Sequence, residues 1–489
     1  MAANIFTGVT DNNWNTATNW SLGTVPTAID THLTTFDASS PNCTINVSAN
    51  VNAIDFTLYT NTITLTNEIN SYGNGTLGVS MIILGTGYLH FRSTSTLTSN
   101  GKEWPNELRF DDTITYTLAD NWTINGDLTC VANTVVLNGN NLYLKKGCDV
   151  KISGIGTTTI HFIGTGTWKG ISSNSVVLNT AGTVTFDTTS VGIANAKSLT
   201  KVAGTVVATG STFIIGLNNC SLIDCSSINF NHLSARASTT INSDINVLGN
   251  FSSNFNIAWD GLFTVYVGGN FSVSNIQSGT ATFAINSNCL LTTTGTLKNN
   301  LTIKSTATVT INGTFNYNSG ILINEIGSNV TTTASTLNID ASSTLNTNGI
   351  NWNNVTISTG TINLNSLLTV NGTLAVGSSG TVIFAGTHGF TCNTFSCITA
   401  GRTINYATGK TYLVTNSLIV TGSTGSKISF ASTSAGALFN LQVGASQNVQ
   451  NCNATWIDSS GGQTIYTSAG TLTNTTNWGI GSGNFFLMF

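Results

Sequence analysis

One short phrase occurs twice in this chain: Ile245-Asn-Val-Leu-Gly249-Asn-Phe-Ser and Thr264-Val-Tyr-Val-Gly-Gly269-Asn-Phe-Ser-Val set Gly249 and Gly269 twenty residues apart. Apolar and polar residues alternate up to a glycine, an asparagine comes next, and Phe251 or Phe271 resumes the alternation. A period of two puts one face of a strand in a core, and a glycine that interrupts it marks a bend or a close backbone approach. Strand, bend and strand repeated at a fixed step is the unit of a solenoid.

Variants of the phrase extend the measurement. Asn125-Gly126-Asp-Leu128, Asn312-Gly313-Thr-Phe315 and Asn371-Gly372-Thr-Leu374 join the doublet, so that the successive glycines stand 123, 20, 44 and 59 residues apart. These steps lie near six, one, two and three multiples of roughly 20 to 22 residues, the length of a coil with two or three short strands. Asn and Thr at matching positions of successive coils are expected to stack as polar ladders that bond along the axis.

Composition agrees with this architecture. Charged residues make up 7% of the chain and hydrophobic ones 40%, against about 25% charged in an average soluble domain. Thr, Ser, Asn and Gly supply the polarity, and the apolar residues are mostly Val, Ile, Leu and Phe in alternating runs, which suits strands. No segment holds helical spacing over eleven residues, so helix content is expected to be close to zero. The net charge of −4 lacks the clustered Lys and Arg of a nucleic-acid partner. No window approaches twenty apolar residues, so membrane insertion is not expected. The N-terminus has no basic segment followed by an apolar one, so export by a signal peptide is not expected either. The nine cysteines are scattered. Their spacing does not suit zinc, and they read as small buried hydrophobes, with disulfides the alternative.

Residues 1–60 differ in character from the rest of the chain. Trp14, Asn19-Trp20-Ser21, Gly23, Val25-Pro26 and Asp30 resemble the opening segment that precedes the β-helix in large surface and viral fibre-like proteins. Two tryptophans and a proline-set turn suit a cap over the open end of a first coil. Asn451 to Gly462, with Trp456 and Asp458, and then Asn474 and Asn477-Trp478, resemble the closing coils of phage-associated β-helix proteins. The organisation expected is a capping segment over 1–60, a solenoid body over 61–480 and an apolar tail over 481–489.

Chemistry-bearing motifs are few. Gly101 to Asp112 is the most charged stretch, and we expect it to leave the coil as a loop. A carbohydrate-cleaving site would need two carboxylates about 5 to 9.5 Å apart, which makes Glu103 with Glu107, or Asp111 with Asp112, the candidates. Adjacent strand residues face opposite ways, so Asp111/Asp112 is a poor pair, and a solvated charged loop accounts for all four. The five histidines join no nucleophile motif, and no metal or cofactor is expected. Trp104, Trp168, Trp259 and Trp352 are candidate sugar-stacking platforms if exposed, but core packing is the simpler expectation. The apolar ends, Ile5-Phe6 and Phe485, Phe486, Leu487, Met488 and Phe489, are candidates for self-association.

The fold expected is all-β: a single-chain right-handed parallel β-solenoid with an N-terminal cap. The resemblance implies a structural, fibre-forming or surface-displayed virion protein, extracellular and without enzymatic activity. Its expected partners are copies of itself, with cell-surface glycans second. A subunit of a cell-surface filament and a polysaccharide-degrading tailspike are the alternatives.

Overall fold

A computed structural model describes residues 2–110, 114–126, 128–131, 134–136, 140, 142–144, 150–154, 159–170, 176–193, 198–215, 220–223, 225, 228–236, 238–332, 334–377 and 380–481. Its contacts divide the chain into two compact units, Met1–Gly249 and Asn250–Phe489. Each is a parallel β-solenoid, nearly all strand.

In the first unit the strands Ala49–Val51, Ile69–Ser71, Leu89–Phe91, Leu108–Phe110 and Leu128–Val131 stack in parallel, with Ala49, Ile69, Leu89, Leu108 and Leu128 in one column. In the second, Phe251 pairs with Phe271, Phe271 with Leu291 and Cys289 with Val309, again in parallel. The Phe251 and Phe271 rings are both buried and lie face to face, with centroids 5.2 Å apart and planes 12° apart. The repeated phrase therefore puts its two phenylalanines one above the other in a core column. Most paired residues are 18 to 22 positions apart, from Val265↔Phe283 to Leu128↔Val150, close to the expected coil length. Later coils lengthen, to 29 positions at Thr411↔Asn440.

The asparagine of the phrase has a specific task. The Asn270 backbone N–H donates to Asn250 Oδ1 at 3.0 Å, and the Leu290 N–H donates to Asn270 Oδ1 at 2.9 Å. The same bond joins Ile276 to Asn256, Ile321 to Asn300 and Thr373 to Asn354. These donors lie just before a strand (Asn270, Ile276), at or near its start (Leu290, Ile321) or, for Thr373, at a register shift within one, and in each case a side-chain amide one coil earlier satisfies the backbone N–H. Direct amide-to-amide stacking also occurs, from Asn338 Nδ2 to Asn316 Oδ1 at 3.0 Å. The glycines act through close approach: a Cβ on Gly126 would lie 2.1 Å from the Asn106 carbonyl carbon.

The cap is an aromatic cluster. Phe6, Trp14, Trp20, Phe36, Phe56 and Tyr59 are all buried, and Phe36 lies between Phe6 at 5.3 Å and Phe56 at 4.8 Å. Asn19 organises the turns around it. Its Oδ1 accepts from Thr10 N at 2.8 Å, and its Nδ2 donates to Asp11 Oδ1 at 2.7 Å and to the Asn13 carbonyl at 2.9 Å. The second unit repeats this device. Asn477 Nδ2 donates to the Ser459 and Gly462 carbonyls, and Trp478 Nε1 donates to Ser459 Oγ at 2.8 Å.

One expectation is corrected. The charged stretch does not leave the coil, because Glu103–Trp104 and Leu108–Phe110 are strands paired with Thr123–Ile124 and Leu128–Cys130. Trp104, Leu108 and Phe110 face the core, and the charges alternate with them on the outward face, where they remain hydrated.

Candidate functional site

Four outward-facing positions of the first unit converge on one polar platform. In the strands Ala49–Val51, Ile69–Ser71, Leu89–Phe91 and Leu108–Phe110 the central residues Asn50, Asn70, His90 and Arg109 form one column. The residues just before each strand, Ser48, Glu68, Tyr88 and Glu107, stand beside it. Ser48 Oγ donates to Glu68 Oε1 at 2.7 Å, and Asn70 Nδ2 donates to the same oxygen at 3.0 Å. Arg92 Nε donates to Asn70 Oδ1 at 2.6 Å. Arg109 grips Glu107 through two parallel bonds, Nε to Oε1 at 2.8 Å and Nη2 to Oε2 at 2.9 Å, and its guanidinium carbon lies 3.7 Å from the centre of the Tyr88 ring.

The electrostatics are set by these contacts. Partial burial pushes the Glu68 carboxyl up, but hydrogen bonds from Tyr88, Asn70 and Ser48 and the charge of Arg92 outweigh it and bring the pKa down to about 2. The bond to Glu68 keeps the Tyr88 hydroxyl protonated above its usual range. Glu107, the main partner of Arg109, raises the guanidinium further. A glycosidase acid needs a raised pKa. Glu68 has the opposite, and Glu107 is engaged by Arg109. Glu103 lies on its own strand across the Pro105–Asn106 corner from Glu107, and Asp111 and Asp112 lie outside the described residues. The platform is an ordered polar surface of paired charges and amides.

Trp104, Trp259 and Trp352 are buried, at most 1% exposed, and present no ring to a sugar; the Trp168 side chain lies outside the described residues. Each of the three extends from an inward strand position, so its ring fills the interior. Among the described residues the most exposed aromatic rings are Phe255, Phe263, Tyr72 and Tyr466. They belong to corners or to outward strand positions, and no motif in the sequence singles them out.

A second surface is a strand edge. Cys43–Ile45, Thr62–Leu65 and Ile82–Gly85 form a three-stranded parallel sheet that ends at Ile82–Gly85. Among the described residues no strand pairs on its far side. The next coil explains the break. Asn100 and Gly101 take left-handed backbone angles, φ 51° and 74°, and Asp120 holds this turn by accepting from Ser99 N at 2.7 Å and Asn100 N at 2.6 Å. Glu103–Trp104 then pairs only forward. The edge strand is left with Ile82 half-exposed at 50% and Leu84 at 53%, beside Val79 at 64%. An apolar strand edge of this kind can be extended by another strand.

Of the residues proposed for assembly, Ile5 is half-buried on the strand Ala3–Ile5. Phe6 is buried in the cap against Trp20 and Phe36. Phe485, Phe486, Leu487, Met488 and Phe489 lie outside the described residues. Cys43, Cys225, Cys289, Cys392, Cys397 and Cys452 are free and buried, and burial pushes the Cys392 thiol up to about 12, so it behaves as a small hydrophobe. Among the described residues no helix is long and apolar enough to cross a membrane, and no cluster of His, Cys, Asp and Glu could hold a metal ion.

The chain matches no protein-family model, and comparison with curated proteins and with solved structures finds no match either.

Proposed function

We propose that this chain is a structural, fibre-forming or surface-displayed protein that associates with copies of itself. The observation that carries the reading is the unpaired apolar edge strand Ile82–Gly85. Soluble solenoids protect such edges with charge, proline or a covering loop, whereas here Ile82 and Leu84 stand on an open edge in a chain that is only 7% charged. Strand addition from a second copy would cover both. The resemblance of the Trp14 to Asp30 segment to viral fibre-like proteins supports placement in a virion or an extracellular appendage. The polar platform around Glu68 and Arg109 supports contact with cell-surface glycans as a second role.

The test replaces the apolar edge with charge. The double variant Ile82→Lys/Leu84→Lys keeps the inward side chains and adds two gatekeeper charges. Wild-type protein is expected to associate with rising concentration in sedimentation velocity and to give extended particles in electron microscopy. The variant, with unchanged circular dichroism, is expected to sediment as a monomer. A wild type that stays monomeric throughout, or a variant with the same size distribution, overturns the proposal.

A further inference from the structure

Seven Asn-Gly steps occur in the sequence, and six of them fall within the described residues; Asn138-Gly139 lies outside them. The dipeptide has a chemistry of its own. Glycine carries no Cβ to hinder its backbone nitrogen, so that nitrogen can turn onto the side-chain carbonyl carbon of the asparagine before it, an attack within one chain that needs only the right geometry. A hydrogen bond to the side-chain amide or from the glycine N–H holds the two groups apart, and reaction then waits for local opening.

Five of the six are restrained. Thr96 N donates to Asn74 Oδ1 at 2.8 Å, and Gly75 is buried in the strand Gly75–Thr76. Asn100 Nδ2 donates to the Leu77 carbonyl at 2.8 Å, and Gly101 N donates to Ser99 Oγ at 3.0 Å. Asn348 Nδ2 donates to the Asn324 carbonyl at 2.8 Å, and Gly372 N donates to the Asn353 carbonyl at 2.7 Å. Asn125 is exposed, but the Gly126 backbone is pressed against Asn106, which leaves its peptide no room to turn. Asn312-Gly313 differs from all of these. It forms the corner between the strands Thr308–Ile311 and Thr314–Tyr317, and Asn312, Gly313 and Thr314 are exposed. A Cβ on Gly313, φ 71°, would meet nothing within 4 Å. Among the described residues the Asn312 side-chain amide and the Gly313 N–H make no hydrogen bond.

We propose that Asn312 is a self-modification site, at which the folded chain converts its own amide to an acid. The Gly313 nitrogen bonds to Asn312 Cγ, the Cγ–Nδ2 bond breaks, and the Gly313 proton leaves with the amide nitrogen as ammonia. Water then opens the cyclic imide. Opening at the backbone carbonyl routes the main chain through Cγ and gives isoaspartate, and opening at Cγ gives aspartate. The net change is the gain of water and the loss of ammonia, with no oxidation or reduction. Either product adds a carboxylate to a chain that is only 7% charged, and isoaspartate also lengthens the main chain at a corner whose next strand buries Phe315 and Tyr317. The modification accumulates with the age of the folded protein. This inference is independent of self-association.

The experiment incubates the full folded chain at neutral and at mildly alkaline pH beside a synthetic peptide covering residues 308–316, and follows each asparagine by peptide mapping and isoaspartate-specific methylation. Asn312 is expected to convert within about threefold of the peptide rate, because an exposed corner opens at little cost. The rate should rise at the higher pH, since the attacking nitrogen must lose its proton. Asn74, Asn100, Asn348 and Asn371 are expected to convert at least about tenfold more slowly, since each must first break a hydrogen bond or open a strand. Asn312→Gln, whose longer side chain closes a ring far more slowly, is expected to remove the signal at this corner with unchanged circular dichroism. An Asn312 that stays an amide while the peptide converts overturns the proposal. Conversion of Asn74 or Asn348 as fast as Asn312 overturns it too, because it would report unfolding and not a site. Should Asn312→Gln fail to fold, the wild-type map decides alone by these same two outcomes.

Discussion

Replacing Phe271 with alanine is the most direct test of the core column. The Phe271 ring is fully buried, stacked on Phe251 at 5.2 Å and met edge-on by Phe283 at 5.2 Å, with Leu291 in register one coil on. Truncation removes the buried ring and leaves a cavity lined by rigid neighbours, which costs about 3–5 kcal/mol for Phe→Ala, toward the upper end where a coil cannot collapse into the gap. The loss includes the aromatic pairing, roughly 0.5–1.5 kcal/mol. In a solenoid each coil contacts only its neighbours, so the effect should be local. Native-state hydrogen exchange reads it out: amides of Phe251–Ser253, Phe271–Val273 and Cys289–Thr293 are expected to lose about a hundredfold to a thousandfold or more of their protection, at about 1.4 kcal/mol per tenfold. Strands several coils away should be unaffected. Ser272→Ala, on the exposed face of the same strand, is the control and should cost less than about 0.5 kcal/mol. If Phe271→Ala costs no more than Ser272→Ala, or if the loss spreads evenly over the chain, the column is not the element that holds these coils together.

Two further outcomes rest on the side-chain networks. Asn270→Ala removes the acceptor of the Leu290 N–H, and because the site is exposed and water can substitute, it should cost about 0.5–1.5 kcal/mol; Leu290 should exchange faster and amides two coils away should not. Glu68, with a folded pKa of about 2 against an ordinary 4.5, contributes stability that is present above its unfolded pKa and is lost as pH falls toward 2. Denaturation midpoints between pH 6 and pH 2 should therefore fall less in Glu68→Gln than in wild type, and equal slopes would show that the platform holds no such carboxylate.

What could be read before folding was whatever is local or periodic. Alternation around Phe251 and Phe271 and the twenty-residue step between them are both written along the chain, so the stacked column and the coil length are direct consequences of it. The Asn-Trp pairs at Asn19 and Asn477 were legible as end segments, because tryptophan beside turn residues is conspicuous in a chain built mainly of short alternating runs. The charged stretch from Gly101 departs from the expected loop for a physical reason: composition reports polarity, but a strand can carry Glu107 and Arg109 outward while Leu108 faces the core. The burial of Trp104, Trp259 and Trp352 agrees with core packing as the simpler expectation, although an aromatic residue suits either face of a pleated surface.

Other features depend on pairing across coils, which no local pattern encodes. Ile82–Gly85 is spelled like any inner strand. It becomes an open edge only because Asp120 holds the Asn100–Gly101 turn and Glu103–Trp104 pairs forward. Arg402 is an ordinary turn cation in the sequence, and only the close approach of Ser358 and Gly380, from coils 44 and 22 residues earlier, buries its guanidinium. The sequence alone determined the repeat, because periodic burial is a property of consecutive residues. The tertiary structure alone decided where the repeat leaves an edge unpaired or a charge enclosed, because both depend on which coil lies next to which.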